Sequence, residues 1–567
     1  MAPPSYMGLS GRPLSLAVSA ICTTGFLLFG YDQGVMSGIL TAPAFADVFE
    51  ETRNNSTLQG VVTSVYDLGC LFGAIFILTV GDQLGRRRAI IAGGIIMIIG
   101  TLIQITSYPG HSPLAQFIIG RIVTGVGNGM NTSTIPTYQA ECSKTSNRGL
   151  LICIQGGTIA FGTLIAYWID YGASYGPADL VWRFPIAFQI TFGIIVSTAM
   201  IWLPESPRWL LTHERYEDAN NVIAAIRGYD VDSEETSTER AIILDSIRAS
   251  GVFGGKSTPY KALFTNGKTQ HFRRMLLGAS SQFMQQVGGC NAVIYFFPIL
   301  CEKFITPGDH NMALLLGGVN AIVYAIFVCD SPLILMSYPM RAGKYTRATV
   351  SWFLIERVGR RKLFLWGTVG QFLSMVLAFG ALIPQTQAAA IGACVALFTY
   401  IASFGATWLP LPWLYPAEIN PIMTRAKANA VSTCTNWLFN FFIVLITPVL
   451  VSNIGWGTFL FFAALNATFL PTIYFFYPET ARRSLEEIDI IFAKGNVEKI
   501  SYVKAAKELP LLTDEEVEQE ALRYGLIDTA ARGAVNAAIH KNEKVQEEDV
   551  SKRSDEESGT QEMKEEA

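Results

Sequence analysis

Gly81-Asp82-Gln83-Leu84-Gly85-Arg86-Arg87 returns far down the chain as Ile355-Glu356-Arg357-Val358-Gly359-Arg360-Arg361. The motifs downstream of each copy repeat as well. Pro136-Thr137-Tyr138-Gln139-Ala140-Glu141 with Arg148 lies after the first copy, and Tyr415-Pro416-Ala417-Glu418 with Arg425 after the second. Pro204-Glu205-Ser206 and Pro478-Glu479-Thr480 close the two series. These correspondences keep one order, which marks an internal duplication.

Between the polar motifs lie apolar runs of about twenty residues, the length a helix needs to cross about 30 Å of hydrocarbon. The 567 residues are 50% hydrophobic and 16% charged, with a mean hydropathy of +0.33. Soluble domains carry about a quarter charged residues, so a soluble enzyme is excluded. The runs fall at 14–39, 58–80, 89–107, 114–137, 150–170 and 184–203, then at 275–298, irregularly within 312–355, and at 363–383, 388–414, 427–450 and 457–477. The predicted class is an all-α membrane protein of twelve transmembrane helices in two six-helix halves, 14–203 and 275–477. Parallel repeats of this kind are a transporter architecture. A polar insert, 204–274, joins the halves and has helical patterns at 216–226 and 238–247. The 1–13 segment is a short N-terminus and no cleavable signal, because the next apolar run is too long and carries Asp32. The tail, 478–567, reads as helical at 485–492 and 515–524 and otherwise as charged and largely disordered.

Arg and Lys follow spans 2, 4, 6, 8 and 10 but not spans 3 and 9, so the positive-inside rule places the insert and both termini in the cytoplasm. The overlapping sequons at Asn54-Asn55-Ser56-Thr57 then face outside. A net charge of −4 leaves no basic footprint for nucleic acid. The nine cysteines lack metal-site spacing or disulfide-scaffold density, so neither metal nor cofactor is expected.

With these motifs the sequence resembles the sugar porter family of the major facilitator superfamily, most closely its fungal sugar/proton symporters. The resemblance covers about 14–485 and rests on the two Gly-Arg-Arg loops, Pro204-Glu205-Ser206-Pro207-Arg208-Trp209, Gln285-Gln286 with Gly289 and Asn291, Pro412-Trp413-Leu414-Tyr415-Pro416-Ala417-Glu418, and Pro478-Glu479-Thr480. It implies the major facilitator fold and proton-coupled monosaccharide uptake by alternating access, in a plasma-membrane monomer whose partners are sugar, protons and the lipid bilayer. No enzymatic step is implied. The alternatives are a sugar sensor on the same fold, or facilitated diffusion of a sugar or a small polyol such as glycerol.

Asp32 lies well inside span 1, where an ionised carboxylate must be paired, hydrated or protonated. Arg121 on span 4 is its natural partner, and the resemblance assigns the pair to proton coupling; the plainer alternative is a fixed structural ion pair. A sugar offers hydroxyls that donate and accept at once, and amides match them. Span 7 supplies Gln285, Gln286 and Asn291. On an ideal helix Asn291 would sit about 240° from Gln285 and about 140° from Gln286, so local unwinding at Gly288-Gly289 is needed to face all three into one cavity. By resemblance Gln155, Asn320 and Asn436 complete the amides, while Trp413 and Trp437 offer flat faces to a sugar ring. Amides that merely bridge helices are the alternative. Glu141 and Glu418 are expected to pair with Arg86, Arg87, Arg360 or Arg361 as gates, with Arg148, Arg425, Glu205 and Glu479 beside them. Leu409-Pro410-Leu411-Pro412 replaces the family's usual Gly-Pro before Pro-Trp, and is expected to stiffen span 10.

Span 8 contains an anomaly. Asp330, Arg341, Lys344 and Arg347 interrupt it, and each Arg or Lys held at mid-bilayer would cost about 2.5–3.5 kcal/mol. Joining residue 327 to 348 restores a continuous helix. The expectation is that 328–347 is a translated intron; the rival is a genuine re-entrant loop.

Overall fold

The computed structural model describes residues 4–53, 55–110, 112–143, 148–249, 260–328, 355, 357–384, 386–421 and 423–526. All regular elements among them are helical. The first half contains Arg12–Ile39, Ser56–Leu84, Arg86–Ile105, Pro113–Cys142, Arg148–Ala173 and Ala178–Trp202, spans 1 to 6. The second begins with a two-piece span 7, His271–Val287 and Cys290–Phe304, followed by span 8 at His310–Val328 and span 9 at Arg360–Leu382. Span 10 is Gln387–Ser403, a π turn at Phe404–Trp408, and Leu411–Ile419; spans 11 and 12 are Arg425–Ile454 and Gly457–Phe476. Ten of these rods are apolar enough over eighteen residues to cross a bilayer. Spans 4 and 5 supply the other two at 30 and 26 residues. The interrupting stretch of span 8, from residue 329 on, lies outside the described residues.

Lipid gives helices no hydrophobic reason to associate, so close backbone packing carries much of the attraction. Spans 1 and 5 meet at Gly30 and Gly162. A Cβ on either would land on the other helix's backbone, well inside the 3.0 Å that real Cβ atoms keep. Gly125 and Gly129 of span 4 meet span 2 in the same way. Adding one methyl at Gly162 must therefore force two backbones apart, an overpacking that cannot be relieved by a rotamer change. Gly162→Ala is expected to cut the yield of monodisperse, detergent-extracted protein several-fold. Gly172→Ala, at a residue with nothing within 4 Å of the added atom, should not. Size-exclusion profiles of the two variants check this.

The two halves meet where span 2 packs on span 11 and span 5 on span 8. The insert forms Pro207–Thr212, Tyr216–Arg227, Glu234–Ala249 and a 3₁₀ turn at Tyr260–Phe264. In span 10, Pro410 lies between the π turn and the helix Leu411–Ile419, and Leu409 and Pro410 both keep a right-handed helical backbone.

A second compact unit comprises 267–270 and the chain from Arg483. Its helices are Leu485–Val497, Tyr502–Glu508 and Asp514–Arg523. Ile490, Ile491, Ala505 and Leu509 form its core, and Arg483 donates to the carbonyls of Ala506 and Leu509 at 2.8 and 2.6 Å. The tail is thus more ordered than its composition suggests as far as residue 526, and the sequence pattern does not reveal the seven-residue middle helix. The charged 527–567 lies outside the described residues.

Candidate functional site: a central cleft beside a buried ion pair

The break in span 7 falls at Gly288-Gly289, as its glycines predict. Gly289 has φ +96, a left-handed conformation that glycine adopts without strain. A broken helix leaves a carbonyl without its intrahelical donor, and within a membrane that acceptor must be satisfied by protein. Tyr400 of span 10 and Asn466 of span 12 both donate to the Gly288 carbonyl at 2.9 Å. No local pattern in the chain marks this support.

Unwinding brings Gln285, Gln286, Cys290 and Asn291 to one narrow cleft between the halves. Asn291 donates to Gln286, and Gln286 to Gln285 at 3.3 Å. Gln285 donates to the Trp408 carbonyl at 2.8 Å, while Asn436 donates to Gln282 and Gln285 at 2.6 and 3.1 Å. Aromatic and aliphatic groups, Phe29, Ile159, Phe404 and Trp413 among them, close the remaining walls, and no charged side chain lines the cleft among the described residues. Neutral amides with flat apolar walls suit a small uncharged ligand rich in hydroxyls.

Five expected contacts therefore converge: Gln285, Gln286, Asn291, Trp413 and Asn436. The others sit behind the cleft. Gln155 bonds to Gln139 of span 4. Asn320 is buried on span 8, one turn from Tyr324, which does line the cleft. Trp437 is fully buried and packs edge-on against Phe29 at 5.2 Å, so it holds Phe29 in place and offers no face of its own. Gln33 and Tyr324 escape a reading of the sequence, although Gln33 follows Asp32 directly and Tyr324 shares a helical face with Asn320.

Asp32 and Arg121 are together, 2% and 0% exposed, with Nη1 of Arg121 donating to Oδ1 of Asp32 at 3.0 Å. Gln189 of span 6 donates to the same oxygen at 3.2 Å. Arg121 also reaches the Thr63 carbonyl at 3.4 Å and lies over the Tyr66 ring at 4.6 Å. The pair thus ties spans 1, 2, 4 and 6 together, and Asp32 is followed in the chain by Gln33 of the cleft.

At the arginine-rich ends the two halves repeat one device. Arg86 makes a two-pronged contact with Glu141 at 3.1 and 3.2 Å, and Arg360 one with Glu418 at 3.1 and 2.7 Å. Each pair lies within a half. Arg87 and Arg361 do not pair with these acids: Arg87 donates to the Met200 carbonyl at 3.0 Å and Arg361 to that of Tyr474 at 2.8 Å. Glu205 accepts from the Arg86 and Arg87 amides, and Glu479 from those of Arg360 and Arg361, so each carboxylate caps the positive end of a helix. The glycine of each Gly-Arg-Arg now has a reason. Gly85 and Gly359 have φ of +84 and +95, and a Cβ would strike the Glu205 or Glu479 carboxylate. Arg425 donates to the Asn420 carbonyl at 3.2 Å, and the Arg148 side chain lies outside the described residues.

Comparison with known proteins agrees with this architecture. The profile of the family described as "Sugar (and other) transporter" matches residues 17–334 and 330–492, breaking within the stretch 328–347. The chain is similar to the sugar transporter STL1 of Saccharomyces cerevisiae, 44% identical over 92% of this chain and 89% of that one. It is also similar to the major facilitator superfamily transporter mfsA of Aspergillus fumigatus, at 42% over 92% and 93%. Among solved structures, the proton:xylose symporter XylE bound to 6-bromo-6-deoxy-D-glucose superposes with a TM-score of 0.68 at 22% identity, covering 85% of this chain and all of that one. A partially occluded, inward open form of XylE from E. coli gives 0.66 at 21% identity, over 82% of this chain and 100% of that one. These structures share its fold. The chain belongs to the Sugar (and other) transporter family and has the major facilitator fold.

Proposed function

We propose that the protein moves a sugar across the membrane by alternating access and couples that movement to protons through Asp32 and Arg121. The observation that carries this reading is an uncharged, amide-lined cleft between the halves, one of whose lining residues, Gln33, follows Asp32 of a buried carboxylate–guanidinium pair in the chain. Sugar hydroxyls would replace amide-to-amide bonds within the cleft, which limits the desolvation cost of the empty site. The names of its relatives, a sugar transporter and, at the level of fold, a proton:xylose symporter, support the same reading. The Arg86–Glu141 and Arg360–Glu418 pairs, capped by Glu205 and Glu479, would hold the cytoplasmic ends of each half in one of two arrangements. The arginine distribution supports cytoplasmic termini, and the same proposal takes the protein as a plasma-membrane monomer. The test is uptake of a labelled sugar panel in a transporter-null cell at two external pH values. Concentrative uptake that rises at acid pH is expected; pH-independent equilibration would leave facilitated diffusion, and signalling without uptake would leave a sensor.

The same proposal treats 328–347 as an intron translated into the chain. The family match breaks in this stretch, and three cations there fit neither a lipid-facing helix nor the duplicated pattern. Sequencing the transcript is expected to find most copies without it. A shortened chain should transport, and the full-length chain should transport poorly because the interruption follows the Asn320–Tyr324 face. Messages that mostly retain the stretch would refute the intron.

A further inference from the structure

A second acid lies inside the bundle, and neither the duplicated motifs nor the cleft accounts for it. Asp67, at mid-length in span 2, is fully buried. Its Oδ1 accepts from Asn440 of span 11 at 3.0 Å, while its Oδ2, also buried, has no hydrogen-bond partner among the described residues. Asn440 in turn accepts from Asn291 of the cleft, which donates as well to Gln286. An unbroken amide chain therefore runs from the cleft wall to a carboxyl group. One link, Asn440 to Asp67, crosses from one half of the protein to the other.

The charged and titratable groups facing Asp67 are Arg121, Asp32, Cys70 and Tyr295. Tyr66 is its neighbour in sequence, and Arg121 bonds to Thr63 one turn away on the same helix. Two carboxyls thus lie near one guanidinium, which pairs with Asp32, in a water-poor interior. With both ionised, one negative charge would remain uncompensated, which burial strongly disfavours. One proton on the pair removes that charge. Asp32 already accepts from Arg121 and Gln189, so Asp67, with its open Oδ2, is the acid left to carry it.

We propose that Asp67 is a second proton-binding group, and that its bond to Asn440 is the link through which the sugar cleft and the proton site sense each other. This rests on the proton-coupled function proposed for Asp32 and Arg121. Ionised Asp67 grips Asn440 more strongly than protonated Asp67 does, because hydrogen bonds to charged acceptors are roughly twice as strong. A ligand hydroxyl that competes for Asn291 changes the same chain from its other end. Since the link joins the halves, its strength biases the equilibrium between their two arrangements. Asp67 is a positioning residue in this scheme and does not touch the sugar.

The test measures the sugar accumulation ratio, its pH profile, and sugar counterflow without a proton gradient, for the wild type, Asp67→Asn, Asp67→Glu and Asn440→Leu. Coupling energies between sites typically correspond to about 5–150-fold, so a loss of accumulation of about tenfold or more is expected in Asp67→Asn and Asn440→Leu. Counterflow should persist in both, and Asp67→Glu should restore pH-dependent accumulation. An Asp67→Asn variant that accumulates sugar with the wild-type pH profile overturns the proposal and leaves the Asp32 reading standing. If Asp67→Asn fails to reach the membrane, Asn440→Leu decides, because it cuts the link without touching the acid: undiminished accumulation overturns the proposal. A wild type that moves sugar without protons overturns both readings.

Discussion

Asp32→Asn should convert a concentrating transporter into an equilibrating one. The amide keeps the shape of the carboxyl and can still accept from Arg121 and Gln189, so the bundle should assemble, but it cannot exchange a proton at physiological pH. Accumulation at acid external pH is expected to fall by about tenfold or more, within the usual range of coupling energies, while counterflow continues. Accumulation that survives the substitution with its pH dependence intact would remove Asp32 from the coupling mechanism. Arg121→Leu should act differently. Removing one partner of a buried pair typically costs about 3–5 kcal/mol, because the other charge is stranded. Less protein should reach the membrane, with a lower melting temperature in detergent. The double variant, which removes both charges, should recover part of that loss, and a double variant as unstable as the two single losses added together would show that the pair is not energetically coupled.

Gln285→Ala is expected to give the largest loss of substrate affinity among the cleft residues. Its amide donates to the Trp408 carbonyl and accepts from both Asn436 and Gln286. Removing it takes away an amide proposed to meet the sugar and also frees the Trp408 carbonyl of the π turn in span 10. An unsatisfied buried polar group costs about 1–3 kcal/mol, so KM should rise by roughly 5- to 150-fold. Gln155→Ala should change KM less than about threefold, since Gln155 reaches Gln139 and not the cleft. Initial-rate uptake kinetics for the two variants separate them. Equal effects would mean that sugar binds somewhere other than this cleft.

Much of the architecture is legible because its signals are local. Apolar runs report hydrocarbon thickness, and the Gly-Arg-Arg and Pro-Glu motifs repeat at fixed places in each half. Gly288-Gly289 announces a break within a span. The prolines around Leu411 are plain in the sequence, but the π turn that precedes them is not. The helix Tyr502–Glu508 is hidden because a seven-residue element shows too little periodicity to stand out from its surroundings.

For the site, residue type identifies the amides without identifying their neighbours. Gln155, Asn320 and Asn436 look alike in sequence, yet only Asn436 reaches the cleft. Arg86 and Arg87 are adjacent, yet one binds Glu141 and the other binds backbone carbonyls. Their side chains leave the helix about 100° apart and meet different neighbours.

Membrane class, the two matching halves and the candidate machinery came from the chain alone, because solvent and repetition act on every residue through its immediate sequence. The Asp67–Asn440–Asn291 chain, the support of Gly288 by Tyr400 and Asn466, and the retreat of Trp437 behind Phe29 came from the folded bundle. Each joins residues far apart in sequence, and a buried polar group's role depends on which partner packing brings within hydrogen-bond reach.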